Sequence, residues 1–244
     1  MGRTIVVSDP QGEPAVFERM LACSGFRRGV DRLIVAGDIV GAEPGGLACV
    51  GAVEDSGGEV LVGNHEMAFF AGDTIDEGPR VDPALFELVR ERALSGAWNL
   101  AAEADGVIVT HAGLSREFTA LWESAARDPA RLVEMLNERW RAELPIAERG
   151  ASGIGASEIL GPDGPLWWRP LQAGGVLPGG VPQVAGHTPI ELLRRRGAVR
   201  ELERAGLHLV DPFTRGWVQR GRPDPPPCRY AVIESGRVSV EEAP

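Results

Sequence analysis

Short β-branched runs that end abruptly at a metal-competent polar side chain recur along this chain, and that recurrence restricts the available folds more than any other feature. Val60-Leu61-Val62 passes without a spacer into Gly63-Asn64-His65-Glu66. Thr4 to Val7 precedes Ser8-Asp9-Pro10-Gln11-Gly12, and Leu33 to Ala36 precedes Gly37-Asp38. Val107 to Val109 leads into Thr110-His111-Ala112-Gly113, and Gln183 to Ala185 into Gly186-His187-Thr188-Pro189. Apolar runs of this length, bounded by glycine and polar groups, predict buried strands. A glycine lets the backbone turn sharply where such a strand stops.

Between these runs the apolar spacing is helical. Val16, Phe17, Met20 and Leu21 recur at three and four apart after Pro14, and Leu47 to Val53 forms a second such stretch. Pro83 to Ala104 reads as one long helix, followed beyond the fourth strand by helices at 116–127 and 129–144. Trp122, Leu132, Met135, Leu136 and Trp140 read as their packing groups. Three late segments, Leu207 to Val210, Tyr230 to Ile233 and Arg237 to Val240, are β-like. Strand and helix alternate in the manner of parallel βαβ crossovers, so the fold class is α/β. In open α/β sheets, ligand groups gather outside the carboxyl ends of the strands, where all of the polar groups above would stand.

Composition narrows the function classes. The 244 residues are enough for one large α/β domain. A net charge of -10 argues against a nucleic-acid polymer or an anionic membrane as partner, since both call for a cationic face. Every basic side chain is an arginine, and without lysine there is no Schiff-base or lysine-nucleophile chemistry. Cys23, Cys49 and Cys228 are odd in number and show no Cys-x-x-Cys pairing, which fits free thiols in a reducing compartment. Met1-Gly2-Arg3 runs straight into a strand, so no leader or membrane span is expected and the location is read as cytoplasmic.

The chemistry rests on a joint pattern. Asp9 with Gln11, Asp38, Asn64, His111 and His187 each follow a predicted strand, and three of the four histidines share that placement. Carboxylate, carboxamide and imidazole without thiolate suit hard or borderline divalent ions such as manganese, iron or zinc.

The ordered set Asp9-Pro10-Gln11-Gly12, Gly37-Asp38, Gly63-Asn64-His65-Glu66, His111-Ala112-Gly113 and Gly186-His187-Thr188 resembles the calcineurin-like metallophosphoesterase superfamily. It is most similar to the branch holding serine/threonine phosphoprotein phosphatases and diadenosine tetraphosphate hydrolases. The resemblance implies a four-layer α/β/β/α sandwich of two mixed β-sheets flanked by helices. It would span 1–244 as a single domain, with a helical cap-like insertion at about 114–165 and the terminal strands in the second sheet. It implies two divalent metal ions, bridged by Asp38. Asp9 and Gln11 would complete the first site, and Asn64, His111 and His187 the second. A pair of ions about 3.5–4 Å apart can clamp a phosphoryl group and share a hydroxide nucleophile. His65 resembles the family's acid for the leaving oxygen, and Arg169, after Trp167-Trp168, its phosphate-binding arginine.

The chain departs from the family at three places. Gln11 stands where a histidine is usual, which moves the first site toward manganese or magnesium. Gly37-Asp38-Ile39-Val40-Gly41-Ala42-Glu43 lacks the Asp-Arg-Gly element, leaving Glu43 or Glu66 to orient His65. The last block carries one histidine. The expected activity is hydrolysis of a phosphomonoester or phosphoanhydride in a phosphorylated small molecule, nucleotide or phosphoprotein. The leading reading is serine/threonine-phosphatase-like; the alternatives are a diadenosine tetraphosphate hydrolase and a non-catalytic metal- or phosphate-binding module.

Overall fold

A computed structural model describes residues 2–41, 45–70, 82–122, 125, 127–147, 157–170, 180–193, 197–214, 216 and 228–243. Strand β1 (Thr4–Val7) leads through helix α1 (Pro14–Ser24) to β2 (Arg32–Ala36), and α2 (Gly46–Ser56) leads to β3 (Glu59–Leu61). Helices α3 (Asn64–Phe70) and α4 (Pro83–Leu94) precede the hairpin of β4 (Ala101–Ala104) and β5 (Val107–Thr110). Then come α5 (Arg116–Leu121), α6 (Pro129–Ala147), β6 (Gln183–Ala185), α7 (Ala198–Arg204), β7 (Leu207–Leu209), β8 (Cys228–Glu234) and β9 (Arg237–Ala243).

Two mixed sheets result, ordered β3-β2-β1-β8-β9 and β4-β5-β6-β7. The βαβ units make β1, β2 and β3 parallel, while β8 runs antiparallel to β1. Side-chain alternation then sorts the core. Val6, Ile34, Ala36 and Leu61 of the first sheet meet Ala102, Ala104, Val107, Val109 and Val184 of the second in the apolar layer between the sheets. The intervening residues Ile5, Val7, Leu33 and Val35 face outward and join Phe17, Met20, Cys49, Val50 and Val53 of α1 and α2. On the far side, α6 packs on β4 and β5 and α7 on β7. The four-layer sandwich of two mixed β-sheets flanked by helices is therefore the observed architecture.

Within the stretch where a cap-like insertion is expected, α6 is tied to the second sheet by more than apolar contact. The Asn137 amide accepts the N–H groups of Leu100 and Ala101 at 2.9 and 3.0 Å and donates to the Ala101 carbonyl at 2.9 Å. It thus serves β4 as a surrogate strand partner.

Two expectations are corrected. The helix read over Pro83 to Ala104 stops at Leu94, and Ala101–Ala104 is a strand paired antiparallel with β5. Alanine favours helix, but Asp105 and Gly106, at φ 50° and 83°, form the tight left-handed turn that closes a hairpin, and the strand partner prevails over propensity. Of the terminal segments, only β7 extends the second sheet; β8 and β9 join the first. Ala231 and Ile233 on one face of β8 fill the layer between the sheets, while Tyr230 and Val232 on the other pack toward the helices, which suits a place beside central β1. No helix among the described residues is long and apolar enough to cross a membrane.

Candidate metal centre

The parallel strands of both sheets end at one cleft of about 370 Å³, lined by Asp9, Gln11, Asp38, Asn64, His65, Arg169, His187, Pro189, Leu192, Asp211, Phe213 and Gly216. His111 lies just beneath, fully buried. The structure therefore brings together all eight residues singled out from the sequence. Local backbone geometry marks the same place. Asp9, Gln11, Asp38, His187 and Phe213 have φ between 51° and 64°, in the left-handed region. The other described non-glycine residues with positive φ, Asp105 and Ser235, sit in hairpin turns. Such conformations cost about 1–3 kcal/mol each and persist where surrounding structure over-determines them, as at ligand sites.

The carboxylates are held by the backbone of the next donor segment. The His65 N–H donates to Asp38 Oδ1 and the His187 N–H to Asp9 Oδ2, each at 3.0 Å. This close approach explains two glycines: a Cβ on Gly63 would stand 2.3 Å from Asp38 Oδ1, and one on Gly186 2.2 Å from Asp9 Oδ2.

Each cleft imidazole is oriented by a backbone carbonyl. His111 Nδ1 lies 2.8 Å from the Ala36 oxygen, His65 Nδ1 3.1 Å from that of Val40, and His187 Nε2 3.2 Å from that of Trp167. These contacts hold each ring with its other nitrogen turned inward, the usual arrangement behind a metal ligand. His111 Nε2 is then 2.9 Å from Asn64 Oδ1, 3.2 Å from His187 Nδ1 and 3.3 Å from Asp38 Oδ1. His65 Nε2 faces Asp38 Oδ2 at 3.5 Å.

The orienting partner of His65 is thus the Val40 carbonyl. Glu66, one of the two expected partners, does something else: its carboxylate accepts the N–H groups of Asp38, Val40 and Gly63 at 2.9, 2.9 and 2.7 Å, pinning the loop after β2 against the start of α3. The other, Glu43, lies outside the described residues. Gln11 turns its amide nitrogen to the carboxylates, 2.9 Å from Asp38 Oδ2 and 3.5 Å from Asp9 Oδ1. Rotation about its last side-chain bond presents the oxygen instead. Arg169 lines the cleft and donates from Nη1 to the His187 carbonyl at 2.6 Å.

The electrostatics suit a cation. Burial, reinforced by the neighbouring Asp38 and opposed by His111, raises the Asp9 pKa from 3.8 to about 6. Burial works against the Asp38 carboxylate too, but His111, His65 and His187 outweigh it and hold Asp38 below its ordinary value. Burial, the His111 charge and Arg169 keep His187 well below 6.5, in the neutral form that coordinates. Donor atoms of Asp38, His111 and His187 all lie within 4.8 Å of one another. Buried carboxylates beside lone-pair nitrogens and a carboxamide fit divalent ions of the hard-to-borderline class. Sequence reasoning missed Asp211 and Phe213, although the apolar run before them was read as a strand.

No protein-family model matches the chain. A symmetrical bis(5'-nucleosyl)-tetraphosphatase from Chromohalobacter salexigens is 34% identical over 121 residues, which cover 46% of this chain and 44% of that protein. The match thus spans less than half the length of that relative. Among solved structures, a cold-active protein-tyrosine phosphatase from a psychrophilic Shewanella superposes with a TM-score of 0.66 at 17% identity, over 100% of this chain and 81% of the other. A protein serine/threonine phosphatase from Saccharomyces cerevisiae gives 0.56 at 15% identity, over 99% and 79%, and a structure named as a putative diadenosine tetraphosphatase 0.53 at 19%, over 99% and 94%. The likeness to these solved structures is one of fold. The chain resembles the calcineurin-like superfamily in its ordered motifs, and it shares its fold with solved phosphatase structures.

Proposed function

We propose that this chain is a cytoplasmic two-metal phosphohydrolase acting on a phosphomonoester, with phosphatase as the leading reading. The observation that carries it is the convergence of donors from the ends of five strands, several in left-handed backbone, on one cleft. Asp38 would bridge two divalent ions, with Asp9 and Gln11 on one and Asn64, His111 and His187 on the other; manganese is the favoured metal, with iron, zinc or magnesium as alternatives. When bound, such ions would supply Lewis-acid polarisation of the phosphoryl oxygens and of a nucleophilic water.

The protein's own groups do the rest. The carbonyls of Ala36 and Trp167 hold the rings of His111 and His187. Arg169, at the cleft wall, would orient the phosphoryl group through paired N–H donors. His65, with Nδ1 on Val40, presents Nε2 to the cleft, from which it would donate a proton to the leaving oxygen. The substrate would be a phosphorylated small molecule, nucleotide or phosphoprotein, without involvement of a nucleic-acid polymer or a membrane.

A second reading, hydrolysis of the phosphoanhydride of a dinucleoside polyphosphate, is favoured by the 34% identity to a tetraphosphatase. The deciding experiment is manganese-dependent hydrolysis of para-nitrophenyl phosphate and its bis-ester, with phosphopeptide and diadenosine tetraphosphate as competing natural-type substrates. Phosphate released from phosphopeptide supports the first reading, and ADP from diadenosine tetraphosphate the second. If the wild type and Asp38→Asn are equally inert while metal still binds, the chain is a non-catalytic module instead.

A further inference from the structure

One buried carboxyl in the cleft, Asp211, has no part in the roles above. Strands β6 and β7 are parallel, with Ala185 paired to Leu209. Two residues beyond this last pair stand His187 on one strand and Asp211 on the other, so the two side chains leave adjacent strands at the same level. Asp9 and Asp38 stand the same two residues past β1 and β2. The Val210 N–H bonds the Ala185 carbonyl at 2.8 Å, which keeps the end of β7 in this register. Asp211 Oδ1 then accepts the Phe213 N–H at 2.7 Å, a local turn that sets the carboxyl into the cleft wall with the residue 6% exposed. Phe213 adopts φ 64° to complete that turn, the same left-handed region as Asp9, Gln11, Asp38 and His187.

A carboxyl so placed is unfavourable in isolation. Burial and then the Asp9 charge push its pKa well above 3.8. The side of the centre nearest Asp9 is also where the donor set is weakest, because Gln11 brings a neutral amide. We propose that Asp211 is a further donor of the metal centre, a carboxylate on the Asp9 side that supplies the anionic oxygen a carboxamide at position 11 cannot. The inference rests on the metal-centre reading above and extends it. With Asp211 included, Asp9, Gln11, Asp38 and Asp211 form an all-oxygen set, while the other ion has two imidazoles. Oxygen-only sites suit manganese or magnesium and nitrogen-bearing ones accept zinc or iron, so the two positions differ in metal preference.

The test is binding itself, without turnover. The full chain, stripped with chelator, is titrated with Mn(II); free ion is followed by electron paramagnetic resonance and bound ion by elemental analysis after desalting. The wild type should hold two ions. Asp211→Asn retains an acceptor for the Phe213 N–H and should keep one ion at wild-type affinity. The other should weaken by at least about tenfold, the lower end of what loss of even an outer-shell partner does to a metal site. Adding Gln11→His to that variant should restore much of the loss. Far-UV circular dichroism and the urea midpoint of the metal-free protein report folding, and Asp211→Ser, whose hydroxyl can accept the same N–H, carries the test if the Asn variant does not fold. Two ions bound with wild-type affinity by a folded Asp211 variant would overturn the role of Asp211 alone. A wild type that binds no ion overturns the metal-centre reading with it.

Discussion

Glu66 offers the sharpest test of how the cleft is built. Its carboxylate accepts three backbone N–H groups, two on Oε2 (Asp38 and Gly63) and one on Oε1 (Val40). In Glu66→Gln the amide oxygen serves the first two best, and the new NH₂ group then meets the Val40 N–H donor to donor. A buried donor left unsatisfied costs about 1–3 kcal/mol. Part of that is returned, because burial and the Asp38 charge hold the Glu66 carboxyl above its ordinary pKa and the amide removes the unfavourable charge. The net loss should be about 1–2 kcal/mol for Gln, and larger for Glu66→Ala, which strands three buried N–H groups. Urea unfolding of metal-free protein, followed by tryptophan fluorescence, measures both. If Gln matches the wild type, or Ala is no worse than Gln, the loop-pinning role is wrong. Had Glu66 oriented His65, its replacement would alter the dependence of rate on leaving group and leave stability unchanged.

Gly186→Ala places a methyl 2.2 Å from Asp9 Oδ2 and 2.3 Å from Ser8 Oγ; it should lower Mn(II) affinity, and an unchanged titration would show that Asp9 has room to move. Replacing His65 by Asn should depress turnover far more than metal content, and equal rates on a poor leaving group would remove it as the acid. Asn137→Ala should destabilise the protein by about 1–3 kcal/mol through the unsatisfied N–H groups of Leu100 and Ala101, as read from the urea midpoint. Asp31 is held at about 2, below 3.8, by the Arg27 guanidinium above all. Its contribution to stability is present above 3.8 and lost as pH falls through about 2, so the gap in urea midpoint between wild type and Asp31→Asn should close over that window and stay constant above it.

Much of this was legible in the sequence because the donors follow the strands directly. An apolar run that ends in Gly-Asp or Gly-Asn-His reveals both the strand and the group at its tip, and Asp9, Gln11, Asp38, Asn64, His65, His187 and Arg169 line the cleft with His111 buried against them. What escaped depends on partners remote in the chain. Ala101–Ala104 reads as helix until β5 and Asn137 are beside it. The place of β8 next to β1 is decided by which face of Ala231 and Ile233 is needed between the sheets. Asp211 follows a strand like the others but lacks a flanking glycine to announce it. The roles of Glu66 and of the Val40 carbonyl are backbone hydrogen bonds, which leave no mark on the pattern of side chains.

The tie between the His187 N–H and Asp9 joins positions 178 apart in the chain and spans the two sheets. The complete two-ion centre can therefore form only once the sandwich has closed, since either half alone carries only part of the ligand set. Cation uptake becomes a read-out of finished folding, and added metal should favour the native state by mass action without rescuing a chain that has stalled with its halves apart. Nascent or truncated chains would lack the finished two-ion pocket, a consequence of where its two halves lie along the polypeptide.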